Sequence, residues 1–446
     1  MTDLKQYLMK AASARDLVDG IEGALAAGAL VPDQRLPSVR RLAADVGLSP
    51  VTVAAAIAEL RRRGVVLSEP RRGTRIGSGP PIGSRRAALP VPQGARDLSS
   101  GNPDPALLPD LDRALRSTPL PARLYGERQA LPALLEFARE QLHDDRIPAE
   151  ELCIVSGAMD AIERVLGAHL RPGDRVAVEN PGYAALYDLL RAHGLALEPV
   201  AVDDRGMLAG ELHAALQRGA IAAVITPRGQ NPTGAALDSG RARELSAVLQ
   251  EFPDTLLVED DHLGPVAGSR MHAVLAEGAR PRRWAATRSV AKALGPDLRL
   301  AVLAGDAHTI ARVQGRQQCG PGWVSHILQS LVLGLWSDPA VHALVERAGA
   351  TYARRREHLL ACLEREGVAA HGASGLNVWI PVHEEAAAIG ALLQRGWVLA
   401  PGAPYRLAGG PRGIRATTAT LTEPEAARLA GDIAEALAPA LAGRSG

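Results

Sequence analysis

Lys292 has a hydroxyl three residues before it, Ser289, and a guanidinium seven residues after it, Arg299, and the string follows the apolar run Trp284–Thr287. A lysine amine just past a strand can condense with an aldehyde, while a hydroxyl and a guanidinium beside it neutralise a phosphate. Asp260 closes the run Thr255–Val258 within Val258-Glu259-Asp260-Asp261-His262, and Asn231 lies in Gln230-Asn231-Pro232-Thr233-Gly234 after Ile221–Ile225. A carboxylate keeps a pyridine nitrogen protonated and makes the ring an electron sink. An amide against a ring hydroxyl tunes the acidity of the imine. Gly157, Ala158 and Met159 open a helix after Cys153–Val155, and Tyr183 in Asn180-Pro181-Gly182-Tyr183 supplies a flat face for a ring. The helix start offers backbone N–H groups to a phosphate. Taken singly, each residue has an ordinary structural reading: surface lysine, turn, core tyrosine. Together, each at the end of an apolar run, they describe a site for pyridoxal 5'-phosphate (PLP) at the edge where open α/β sheets hold ligands.

The elements that must position these groups are legible as alternating runs. Short apolar stretches (Cys153–Val155, Val176–Val178, Leu197–Val202, Ile221–Thr226, Thr255–Val258, Trp284–Thr287, Leu300–Ala304) alternate with longer amphipathic ones. That alternation predicts an α/β domain with a mostly parallel central sheet. Ahead of it the pattern is helical. Leu17, Ile21 and Leu25 share a face; Val39, Leu42, Ala43 and Val46 follow Ser38 and stop at Gly47; Val53, Ile57 and Leu60 follow Ser49 and Pro50. Serine is a favoured N-cap and proline is tolerated at the first helical position. Two short helices joined by a Gly-containing turn are a helix-turn-helix layout. Val65–Leu67 and Thr74–Ile76 around Arg71-Arg72-Gly73 read as a hairpin with a basic tip, a wing. The expected division is a winged helix-turn-helix over 1–77, a Gly/Pro-rich linker over 78–97, and a PLP-binding domain over 98–446. The last has a large part at about 125–335 and a small part at about 340–446.

Charge supports that division. Residues 35–75 carry nine arginines against Asp45, Glu59 and Glu69, a net +6 inside a chain whose total is +1. Such a block in a near-neutral protein suggests a module for a polyanion. Cys153, Cys319 and Cys362 are scattered, so neither a metal-ligand set nor a disulfide framework is expected. No apolar signal core follows Met1 and no run of apolar residues is long enough to span a bilayer, which implies a cytoplasmic protein.

The string Leu36-Pro37-Ser38-Val39-Arg40-Arg41-Leu42-Ala43, with Gly47-Leu48-Ser49, Thr52-Val53, Gly64 and Gly73-Thr74, resembles the GntR-type winged helix. The resemblance implies double-stranded DNA as partner, with Ser38, Arg40, Ser49, Thr52, Arg72 and Gly73 at the contact. Many family members have arginine after the serine where this chain has Pro50, so a base contact is lost or moved. Residues from about 98 to 435 resemble the fold-type I, class I/II aminotransferases. That resemblance implies Lys292 as the Schiff-base lysine, Asp260 at the pyridine nitrogen, Asn231 and His262 at the ring oxygen, and Tyr183 stacked on the ring. Gly157, Ala158, Met159, Ser289 and Arg299 would surround the phosphate with Tyr125 of a partner subunit, and Arg415 would bind an effector carboxylate. His262 stands where the family usually has tyrosine, and Arg228-Gly229 replaces the usual Ser-His before the Gln-Asn-Pro-Thr-Gly string. The latter change reshapes the pocket floor or brings positive charge towards an anionic ligand.

A winged helix, a linker and this PLP domain in one chain resemble the MocR subfamily of GntR regulators. What the resemblance implies is a head-to-tail homodimer that answers to PLP, with an amine or amino acid as co-effector, and controls vitamin B6 or amine and amino-acid metabolism. Two rivals remain: a working PLP-dependent aminotransferase with an extra N-terminal domain, and a DNA-binding protein whose PLP fold serves only dimerisation. The basic N-terminal module weighs against the first rival and the Lys292–Asp260–Asn231 set against the second.

Overall fold

The computed structural model describes residues 6–8, 11–31, 34–62, 65–69, 73–77, 91–278 and 281–438. The chain folds as two compact units.

In the N-terminal unit, α1 (Ala14–Ala26) starts at Ser13, whose Oγ accepts from the Asp16 N–H, and buries Leu17, Ile21 and Ala24. Helix α2 (Val39–Val46) is capped by Ser38, which accepts from the Arg41 N–H at 3.3 Å, and it ends at Gly47. Helix α3 (Pro50–Arg62) is capped by Ser49, which accepts from the Thr52 N–H at 3.0 Å. These two helices bend by 114° across the short break between them, so Leu42, Val53, Ile57 and Leu60 meet in one core. Strands β1 (Val66–Glu69) and β2 (Gly73–Ile76) pair antiparallel, and Val66 and Ile76 enter the same core. This is a winged helix-turn-helix. Arg72, at the wing tip, and residues 78–90 of the linker lie outside the described residues.

The second unit is built on an eight-stranded sheet of order β4-β11-β10-β9-β8-β5-β6-β7. Its strands are β4 (Glu151–Val155), β5 (Arg175–Asn180), β6 (Ala196–Asp203), β7 (Gly206–Met207), β8 (Ala220–Ile225), β9 (Leu256–Asp261), β10 (Arg283–Ser289) and β11 (Ala301–Gly305). Strands β8, β9 and β10 are parallel, and β11 runs antiparallel to both β10 and β4. The apolar runs of β8 and β9 are buried almost throughout, as strands covered on both faces must be. A second, three-stranded sheet has the order β12-β15-β14, from β12 (Asn377–Pro381), β14 (Ala400–Pro401) and β15 (Gly413–Thr417). A strap joins the two parts. Its start, β3 (Arg96–Asp97), pairs with β13 (Trp397–Val398), and the Thr417 N–H then donates to the Leu98 carbonyl.

Candidate functional site

Strand β9 ends in three successive buried carboxylates, Glu259, Asp260 and Asp261, and each has a different environment. Glu259 accepts from the N–H groups of Val274 and Leu275, a structural use. Asp261 is gripped by two guanidiniums: Arg228 makes two bonds at 2.8–2.9 Å and Arg288 one at 2.9 Å. Those charges and bonds outweigh burial and hold its carboxyl well below the usual carboxylate range. Asp260 has no such partner. Burial first, then the neighbouring Asp261 and Glu179 charges, push its pKa up to about 7. Its Oδ1 makes no hydrogen bond among the described residues. A buried carboxylate oxygen without a donor is costly, and a protonated ring nitrogen is the complement that would satisfy it.

Lys292 follows β10, and its Nζ donates to the carbonyl of Gly101 at 2.7 Å. Burial and the nearby Arg415 charge lower its pKa to about 8, so a usable share of the amine is unprotonated near neutrality. Arg415, on β15, is itself buried; it donates from Nη1 to Asn231 Oδ1 at 2.9 Å and from Nη2 to the Ser99 carbonyl. Its Nε has no hydrogen-bond partner among the described residues, and its guanidinium carbon lies 5.0 Å from the Tyr405 ring centroid. Thus Lys292, Asn231 and Arg415 are brought together around the strap residues Ser99 and Gly101.

A cradle of backbone N–H groups lies at the start of α4 (Ala158–His169). Gly157 sits at φ +100°, and a Cβ there would lie 3.0 Å from Arg299 Nη2, so glycine lets the guanidinium approach the chain. Arg299 donates to the Ser156 carbonyl at 3.3 Å, and Ser289 Oγ accepts from the Ala291 N–H at 3.2 Å. Ala158 and Met159 open α4, where N–H groups lack intrahelical acceptors. The orphaned Asp260 oxygen, the Gly157 cradle and the depressed Lys292 amine fit a ligand with a pyridine nitrogen, a phosphate and an aldehyde.

His262 is uncharged near neutrality: burial and then Lys292 push its pKa down to about 4, against the Asp261 charge and a hydrogen bond to the Asp260 main chain. Tyr183 is half-exposed, whereas Tyr125 stands 93% exposed with its edge against Trp323, at a centroid distance of 5.6 Å. Arg228 is buried against Asp261, and its remaining Nη1 donates to the Ser269 carbonyl at 3.3 Å, so all the guanidinium nitrogens are used inside the fold. Sequence reasoning missed the Asp261–Arg288 pairing and the support of the Asn231 turn by Glu179, which accepts from Thr226 and Gln230. The doublet Asp260-Asp261 was the available signal, since two adjacent buried carboxylates need separate partners.

On the winged helix, Ser38, Arg40, Ser49 and Gly73 are exposed and Thr52 is half-buried. Ser49 and Thr52 hydroxyls also bond each other at 2.8 Å.

Residues 96–433 match the family model of the class I and II aminotransferases, and residues 13–76 match that of the bacterial regulatory proteins of the gntR family. Among known proteins, the chain is similar to the vitamin B6 salvage pathway transcriptional repressor PtsJ of Salmonella typhimurium. The two are 39% identical over 428 residues, 95% of this chain and 98% of the other. It is also similar to the HTH-type transcriptional regulator TauR of Rhodobacter capsulatus, 30% identical over 405 residues and 80% of each chain. Among solved structures, an archaeal alanine:glyoxylate aminotransferase shares the fold with TM-score 0.70 at 21% identity, over 77% of this chain and 90% of that one.

Proposed function

As the chain belongs to the MocR subfamily of GntR-type transcriptional regulators, we propose that it is a PLP-responsive repressor or activator of vitamin B6 metabolism genes. One observation carries the reading: a single chain holds both a GntR helix-turn-helix and a buried lysine near an Asp260 oxygen that has no donor among the described residues. The near full-length likeness to a B6 salvage repressor points to the gene class. Amine and amino-acid metabolism genes are the second class the family controls.

PLP, when bound, supplies an aldehyde for a lysine and an electron-withdrawing ring. Lys292 would bind it covalently, Asp260 would hold the proton at its ring nitrogen, and Asn231 and the neutral His262 would meet its ring oxygen. Tyr183 would face the ring. The N–H groups of Gly157, Ala158 and Met159, with Ser289 and Arg299, would hold the phosphate. Tyr125, exposed on one protomer, would reach the phosphate of a second in a head-to-tail homodimer. Arg415, with a spare buried N–H, would take the carboxylate of an amino-acid co-effector. The DNA surface would comprise Ser38, Arg40, Ser49, Thr52, Arg72 and Gly73, and a regulator of this kind would work in the cytoplasm beside its operator.

The reading is tested with purified full-length protein. Added PLP should give the visible absorption of a lysine-bound cofactor, and Lys292→Ala should lose it. Binding to the DNA upstream of its own gene should respond to PLP and weaken steeply with salt. Rapid turnover of an amino acid without DNA binding would instead establish the aminotransferase reading.

A further inference from the structure

Helix α3 presents an unusual outer face. Every exposed side chain ahead of Arg61 is apolar: Pro50, Val51, Ala54, Ala55 and Ala58. Val51 is 79% exposed, while Val53, Ala56, Ile57 and Leu60 on the other face are buried. A β-branched residue in the first turn of an exposed helix gains nothing from propensity, and it leaves its methyl groups in water. Its position gives it a use. In a helix-turn-helix, the N-terminal residues of the second helix meet the base edges of the major groove. Ser49 Oγ accepts from the Thr52 N–H and the two hydroxyls bond each other, which leaves that turn one hydroxyl proton to offer a phosphate or base. Ahead of Arg61 the exposed side chains of the helix therefore form a hydrocarbon surface, none of them able to make a bidentate hydrogen bond.

The major groove offers one apolar group for such a surface, the C5-methyl of thymine. The exposed Arg35, Arg40 and Arg41 of the same unit supply positive charge that attracts phosphates. We propose that Val51 is a specificity-determining residue that reads a thymine methyl in each operator half-site. The proposal rests on the DNA-binding reading above. It accounts for Pro50: where relatives carry an arginine for a guanine edge, this chain exchanges hydrogen-bond readout for methyl packing one residue further along. Arg40 and the wing keep their phosphate or base contacts independently.

The test uses the full-length protein to select duplexes from a random-sequence pool, and then replaces each thymine of the recovered site by deoxyuridine, one at a time. Deoxyuridine removes the methyl and keeps the O4 acceptor. At one thymine per half-site the wild type should lose about fourfold in affinity, the worth of one buried methyl-sized group. Val51→Ala should lose a similar factor on the thymine duplex and should no longer distinguish thymine from uracil there. Equal affinity of the wild type for all the substituted duplexes overturns the proposal, as does discrimination that persists in full in Val51→Ala. Both results leave the DNA-binding reading standing. A protein that selects no duplex at all overturns both.

Discussion

The Lys292 ammonium is held by the main-chain carbonyl of Gly101, at 2.7 Å, and Gly101 belongs to the strap that starts at β3, whose two residues, Arg96 and Asp97, were expected to end the linker. PLP, if bound, would engage Lys292 through its neutral amine and take that amine away from Gly101. The Gly101 carbonyl then loses its donor. Amides of residues 97–104 should exchange hydrogen about tenfold faster in PLP-loaded protein than in PLP-free protein, the range expected for losing a bond to a charged group. Lys292→Met should exchange at the fast rate without PLP. Mass spectrometry of the full-length protein measures this, and a strap whose exchange ignores both changes would show that the contact is idle.

Asp260 should make the PLP-free protein less stable as pH rises. Its folded pKa is raised to about 7, chiefly by burial, from an ordinary value of 3.8. Between those values the folded state binds more protons than the unfolded state. Its contribution is therefore fully present below about pH 4 and lost as pH climbs through about 7. Asp260→Asn should raise the melting temperature of the PLP-free protein at pH 8, with the difference shrinking steadily as pH falls and vanishing only below about pH 4, and should weaken PLP binding. Melting curves of the two proteins side by side cancel the contributions of the unchanged Glu179 and Glu259.

Arg228→Ser, which restores the small polar residue usual in the aminotransferases, should destabilise this chain. Asp261 would keep Arg288 and lose a two-pronged partner that is 6% exposed. Breaking a buried pair costs about 3 kcal/mol or more. Arg228→Lys should recover only part of that, because an ammonium cannot reproduce the fork. Urea unfolding at neutral pH reads both variants; wild-type stability in the serine variant would mean that Arg288 alone suffices.

Ser49→Ala should loosen α3 locally. The lost cap bond to the Thr52 N–H is worth about 1 kcal/mol, or about fivefold in exchange rate. Amide exchange in α3 should speed up by that factor while α1 stays unchanged, and operator affinity should fall with it.

Much of the architecture was legible because its causes are local. Ser38 and Ser49 cap the helices they were expected to cap, Gly47 ends the helix it was expected to end, and the apolar runs became β4 to β6 and β8 to β11. A cap needs a hydroxyl within three residues of its N–H, and a doubly covered strand needs an unbroken apolar run, so both leave marks in the string. The chemistry was legible for a similar reason: imine formation needs a lysine, and a pyridine nitrogen needs a carboxylate.

Arg228 shows where that legibility stops. Its type was evident and its direction was not, because a guanidinium turns to whichever carboxylate the fold brings near, here Asp261, 33 residues away. The strap was invisible altogether. Every residue carries a carbonyl, so nothing in Ser99 or Gly101 announces that they bind Arg415 and Lys292.

From its sequence alone, then, this protein's two modules and the helices and strands that build them were legible, since each depends on residue type at short spacing. Only the tertiary structure decided which partners meet. Chain closure over 191 residues sets Gly101 against Lys292, and Asp260 Oδ1 is left without a donor among the described residues while Asp261 meets two guanidiniums. Those choices depend on burial and on long-range contact, which residue order does not display.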